Sequence, residues 1–249
     1  MAREVSSISR VGTSEPFELQ SSRNQIAYHN TLFKYGYNPN IINVSETVWD
    51  AGGLYAYPGS AVAMTVTSAG GATDSGVKVL VSGLDTNYAE LEEEVTLNAS
   101  GTATTTGLFL RVFRAYVSGA TSPTGNITIA NGGTTYAQIT NGENQTLMAV
   151  YTVPAGKTLY INEGIATHGT GTSGGVYMTV RFLVKPFGGV FRTQVKVDVV
   201  ESQIYYPFAY PIKVTEKSDV EVRAVCNKNQ ANALSASFNG VLIDNGDAL

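Results

Sequence analysis

After about residue 60 the chain repeatedly alternates apolar and polar residues with a period of two. Val77, Val79 and Val81 alternate with Lys78, Leu80 and Ser82, and Leu91, Glu93, Val95 and Leu97 share one face of the next segment. The spacing returns in Val176 to Lys185, and again in Val190 to Val200, where Phe191, Thr193, Val195, Val197 and Val199 are in phase. Side chains of a strand point alternately to its two faces, so each run predicts a strand with one buried face. Shorter runs predict further strands at Glu46 to Asp50, Leu54 to Tyr57, Ala63 to Thr67, Leu108 to Val117, Ile127 to Ile129 and Tyr136 to Ile139. A second set covers Leu147 to Val153, Lys157 to Ile161, Ile165 to Thr167, Val220 to Val225 and Leu234 to Val241, while Tyr205 to Tyr210 is aromatic and broken by proline.

Turn signals such as Gly52-Gly53, Gly132-Gly133, Pro154-Ala155-Gly156 and Pro186-Phe187-Gly188-Gly189 punctuate these runs. Short strands with turns about every ten residues predict a sandwich or barrel. The one stretch that also admits a helix is Asn87 to Leu97, and its Leu91/Val95 spacing fits a strand equally well. Residues 1–40 differ. Their apolar residues are isolated or paired, and such a segment cannot build its own core. The expectation is an all-β chain: an extended N-terminal arm over 1–40, then two β-sandwich, jelly-roll-like domains over 41–142 and 143–249. Phe17, Leu19, Phe33, Tyr35 and Tyr37 are the arm's candidate partner-binding anchors.

Composition narrows the function classes. Only 14% of the 249 residues are charged, and Gly (26) and Tyr (14) are frequent. Coiled coil and general disorder are excluded by the missing heptads and by the 43% hydrophobic content. A net charge of −4 with scattered Lys and Arg argues against nucleic acid as a partner. The single cysteine, Cys226, supports no intrachain disulfide and reads as a small buried apolar side chain. No apolar run reaches the ~20 residues of a membrane span, and MAREVSSISR carries no apolar secretory core. Synthesis in the cytoplasm, with no membrane partner, is expected.

Candidate chemistry is sparse. The two histidines, His29 in the arm and His168 before a Gly/Thr loop, read as ordinary exposed residues, and no Gly-x-Ser-x-Gly elbow is present. Glu90, Glu92, Glu93 and Glu94, with Asp85 and Asn87, lack the tight Gly-containing calcium loop and should point apart along a strand, solvated or paired. Gly132-Gly133 and Gly169 to Gly175 lack the Lys-Ser/Thr ending of a phosphate loop. The tyrosines and Trp49 offer stacking platforms for sugars, yet Tyr equally belongs in sheets and subunit interfaces. No enzyme, cofactor or metal is expected.

Several segments are distinctive when taken together and in order: PFELQ (Pro16 to Gln20), FKYGYNPN (Phe33 to Asn40) and ETVWDAGGLYAY (Glu46 to Tyr57), then GLDTNYAELEEEVTL (Gly83 to Leu97) and FLRVFRAYV (Phe109 to Val117). NQTLMAVYTVPAGK (Asn144 to Lys157), KPFGGVF (Lys185 to Phe191) and EKSDVEVRA (Glu216 to Ala224) continue the series. In this combination the chain resembles a family of tailed-phage virion proteins common among marine phages. The resemblance implies a structural component of the particle with no catalytic residues. Combined with the arm, it leads to the expectation of a capsid decoration (cement) protein on the head exterior. Its expected partners are the major capsid protein and copies of itself, as a trimer or other small ring. The alternative is a tail-associated fibre or receptor-binding module that recognises host glycan through its aromatics and the loop His168 to Gly175.

Overall fold

The computed structural model describes residues 15–169 and 175–246. In chain order a short helix α1 (Phe17–Ser22) precedes β1 (His29–Ile41), β2 (Glu46–Thr47), β3 (Val62–Ser68), β4 (Lys78–Leu84), β5 (Glu90–Thr96), β6 (Thr102–Phe109), β7 (Arg111–Val117) and β8 (Ile127–Asn131). Then come β9 (Thr134–Ile139), β10 (Val150–Thr152), β11 (Lys157–His168), β12 (Met178–Lys185), β13 (Arg192–Val199), β14 (Gln203–Val214), β15 (Asp219–Cys226) and β16 (Asn232–Asp244). No helix among the described residues is long and apolar enough to cross a membrane.

Four antiparallel sheets make two sandwiches. One pairs the sheet β1-β16-β11-β14 with β10-β15-β12-β13, to which β2 adds through β15. Counted along this domain, β2 and β10 together fill the second position. The sheets then read first-eighth-third-sixth and second-seventh-fourth-fifth, which is the jelly roll. The other sandwich has the sheets β6-β3-β8-β9 and β5-β4-β7.

The second sandwich is inserted into one strand of the first. Thr47 and Glu46 pair with Arg223 and Ala224, while Val150, Tyr151 and Thr152 pair with Glu221, Val220 and Asp219. The changeover falls at Val222. Its carbonyl accepts from the Val48 amide at 2.9 Å and its amide donates to the Ala149 carbonyl at 3.1 Å. The chain therefore leaves β15's flank at Val48, builds the inserted domain, and returns to the same line at Ala149.

The cores divide accordingly. Ile41 and Val48 pack with residues from Ala149 to Leu242 around Phe182 and Phe238. Trp49 and Tyr55 pack with residues from Met64 to Met148. Burial of each such aliphatic or aromatic side chain is worth about 1.5–3 kcal/mol. The expected single boundary near 142 gives way to two crossings, near 48 and near 149, because β1 and β2 belong to the jelly roll.

The arm expectation is corrected over its second half. Residues 29–41 form a strand paired with β16 from His29↔Ile243 to Ile41↔Asn232. Periodicity hid it because the inward positions of its centre are Lys34, Gly36 and Asn38 rather than aliphatic residues. Gly36 is required there: a Cβ would lie 2.1 Å from the Val48 carbonyl oxygen and 2.4 Å from the Ala149 nitrogen. Residues 1–14 lie outside the described residues. Three smaller differences follow the same way. Leu54 to Tyr57 is not a strand, Ile165 to Thr167 is the end of β11, and Phe17–Ser22 is helical. Asn87 to Leu97 contains β5, as its strand reading required.

A cleft between the two sandwiches

The domains meet along two fronts, and a cleft of about 630 Å³ opens at one of them. β1 of the jelly roll forms one side, with β4, β5 and β7 of the inserted domain opposite. Even-numbered residues of β1 face β16 with their backbone groups. Tyr37 shows the other direction, its amide donating outward to the Leu147 carbonyl at 3.3 Å. Strand alternation places the backbone of Thr31, Phe33 and Tyr35 on that same outer edge.

Lys34 is the unusual residue of the cleft. Only 7% of it is exposed, its Nζ donates to the Phe113 carbonyl, and the Phe113 ring lies 5.7 Å away. Burial, with a smaller contribution from Arg114, pulls its pKa from 10.5 down to about 7. Lys34 and Arg114 belong to no ion pair among the described residues. Arg114 instead lies over the Tyr116 ring at 5.0 Å. Lys157 bridges the domains, 2.7 Å from Glu90 on β5 and 3.5 Å from Asp244. Burial opposes its charge, but Glu90 outweighs that and raises its pKa.

The other front is a buried ionic junction. Arg111 of β7 donates to both carboxylate oxygens of Asp219, at 2.8 and 3.2 Å, and Thr152 supplies Asp219 with a further bond at 2.7 Å. Glu221, fully buried, accepts from Thr47, from Tyr57 at 3.2 Å and from Arg223 twice at 2.9 Å. Burial lowers the pKa of Arg111, yet its Asp219 partner more than compensates and raises it. Aromatic faces complete the junction, with Arg111 5.1 Å from the Tyr57 ring centre and Arg223 4.5 Å from that of Phe191. Each buried charge is thus paired and hydrogen-bonded, the condition under which such groups are tolerated.

The sequence-derived anchors fall in two places. Phe33 (66% exposed) and Tyr35 (40%) stand on the outer face of β1 beside the cleft, with Tyr37 half-buried on the same face. Phe17 and Leu19 are exposed on α1, and Phe17 packs edge-on against His29 at 5.8 Å. Sequence reasoning missed Lys34, Asp219 and Glu221. The available signal was charge inside apolar runs, which Arg111 in LFLRVFRAYV and the acids of SDVEVRA both display.

The acidic run of β5 is divided among partners. Glu90 meets Lys157, Glu92 accepts from Ser82, Glu93 takes the Thr106 and Gly107 amides, and Glu94 meets Lys78 and Ser118. No group of three or more His, Cys, Asp or Glu among the described residues is placed to hold a metal ion. His168 is corrected: it is buried at the end of β11, its Nδ1 accepting from the Glu201 amide at 3.4 Å. Cys226 is buried, as expected. Residues 170–174 of the suggested glycan loop lie outside the described residues.

No family model matches the chain, and no curated protein matches it. Among solved structures, the mitogen of Yersinia pseudotuberculosis aligns with 41% of this chain and 88% of its own, at 16% identity and a TM-score of 0.24. Infectious bursal disease virus, Gt strain, aligns with 89% of this chain and 74% of its own, at 11% identity and a TM-score of 0.24. The VP2 subviral particle of that virus gives 88% and 73%, at 12% identity and 0.25. At these scores the likenesses identify no relative.

Proposed function

We propose that this chain is a structural, non-catalytic part of a bacteriophage virion. In this reading it is a capsid decoration (cement) protein on the head exterior that contacts the major capsid protein and copies of itself. The observation that supports the reading most is the pair of aromatic surfaces at opposite edges of one jelly-roll sheet. β1 carries exposed Phe33 and Tyr35, and β14 carries exposed Tyr205, Tyr206 and Tyr210, the last 87% accessible. Tyrosine and phenylalanine are enriched where subunits meet. Two different sticky edges on one body suit head-to-tail contacts, which close into rings or continue over a lattice. The low charge content fits such contacts, because few charges need desolvation. The virion assignment itself comes from the sequence segments that resemble tailed-phage structural proteins.

A reconstruction of the intact particle tests it. Hundreds of copies over the outer head surface are the expected result. A few copies confined to the tail vertex would replace decoration with a tail-associated module, and absence from the particle would overturn the virion reading. Residues 1–14 of the expected arm precede both α1 and β1 and can be removed without cutting either. Purified shells should bind the trimmed protein more weakly than the full chain, and equal affinity would remove the arm from the model.

A further inference from the structure

The cleft holds a strand edge to which no described residue pairs. Thr31, Phe33 and Tyr35 direct their backbone N–H and C=O groups away from β16, and no described residue bonds them. From Thr31 to Tyr35 the edge spans about 13 Å at ~3.3 Å per residue. The space beside it, about 630 Å³, lies within the ~300–1,000 Å³ range of ligand sites. Edge strands of natural sheets are normally blunted. The opposite edge of this sheet is: Pro207 and Pro211, four apart on β14, face the same side and remove two donors. β1 carries no proline between His29 and Asn38. One edge is closed and the other open.

We infer that the β1 edge takes up an extended, acidic peptide segment of a partner protein, which adds as a strand in line with Leu147 and places a carboxylate against Lys34 and Arg114. Strand addition of this kind draws affinity from main-chain bonds and specificity from alternate side-chain sites. Charge complementarity selects the occupant. Glu90 is already held by Lys157, and Glu92, bonded to Ser82, is the lining carboxylate without a cation. Lys34 and Arg114 are in no ion pair among the described residues, against this single carboxylate, so with Lys34 protonated the lining carries one more cation than anion, and a peptide carboxylate would favour that protonated form. Phe113 and Tyr116, also in the lining, give the peptide's alternate side chains an apolar contact. The inference stands on the cleft alone and does not depend on the virion reading.

Fluorescence polarisation with the full chain tests it, using a labelled Thr-Val-Glu-Val-Thr-Val peptide as probe. Saturable binding is expected, at least tenfold weaker when alternate peptide amides are N-methylated and when Glu is replaced by Lys. The variant Phe33→Pro removes an outward amide and should abolish binding while leaving the β1–β16 ladder intact. Should that variant fail to fold, the N-methylated peptide decides. Lys34→Met should weaken the Glu peptide selectively over a Gln peptide. No saturable binding, or equal binding of the N-methylated peptide, overturns the inference. So does binding that emerges only after residues 1–14 are removed, since the chain's own segment would then be the occupant. A full chain that is oligomeric but becomes monomeric with Phe33→Pro would name a second copy instead, with the same consequence.

Discussion

The amide of Ala149 donates to the carbonyl of Val48 at 3.0 Å, although the whole inserted domain lies between them in sequence. This bond closes the neck of the insertion, and Gly36 of β1 lies directly against it. Gly36→Ala would place its Cβ among backbone atoms that cannot move without opening the neck. A loss of about 1–3 kcal/mol is expected, the range for forcing extra atoms into a well-packed site. Chemical denaturation followed by circular dichroism checks it, and a loss below 1 kcal/mol would show that the neck can yield.

Arg111 and Asp219 pair across the domains with side chains almost fully buried. Asp219→Ala would leave Arg111 charged without its carboxylate and should cost about 3–5 kcal/mol. The double variant Arg111→Met with Asp219→Leu should be less harmful than Asp219→Ala alone. Equal losses for the single and double variants would mean the junction contributes through packing and not through charge.

Lys34 makes stability depend on pH above neutrality. Its folded-state pKa is about 7 against an ordinary 10.5, so between these values the unfolded chain binds the extra proton. Stability then rises with pH across that window, and the cost of the buried charge is greatest below pH 7. Lys34→Met should therefore compare most favourably with the natural chain near pH 6, with the difference shifting by about 1–3 kcal/mol towards the natural chain by pH 10. Melting temperatures of both proteins across that range would reveal a flat difference if the amine were solvated.

Asp50 acts in the opposite sense. Burial raises its carboxyl from 3.8 to about 7, against the bonds it accepts from Thr140 and nearby amides. The folded state holds the proton more tightly, so the stabilisation is complete below pH 4 and is lost as pH rises through 7. Asp50→Asn should be close to neutral at pH 4–5 and stabilising at pH 8. A variant equally stable relative to the natural chain at both pH values would contradict the buried-acid account.

The strands whose buried face is aliphatic, β4, β5, β12 and β13, were legible because a pleated strand turns alternation directly into burial. β1 was not, since its inward centre is lysine, glycine and asparagine, chosen by the neck and by the neighbouring domain. The insertion was hidden for a related reason: β2 and β10 have two and three residues. Neither is long enough for a period, and they become one line only beside β15. In the cleft, Phe33 and Tyr35 were recognisable as aromatic anchors. Lys34 was not, because nothing local distinguishes a buried lysine from a solvated one.

The closing pair of the jelly roll joins its first and last strands, His29 opposite Ile243. A ribosome adding about 5–20 residues per second would need roughly 10–40 s to supply β16 after β1 has emerged. Until that interval ends β1 has no ladder to join, whereas every strand of the inserted domain is complete within it, by Ile139. The inserted sandwich is therefore the part that can mature first. The outer domain must wait for β16 before its first strand finds a place.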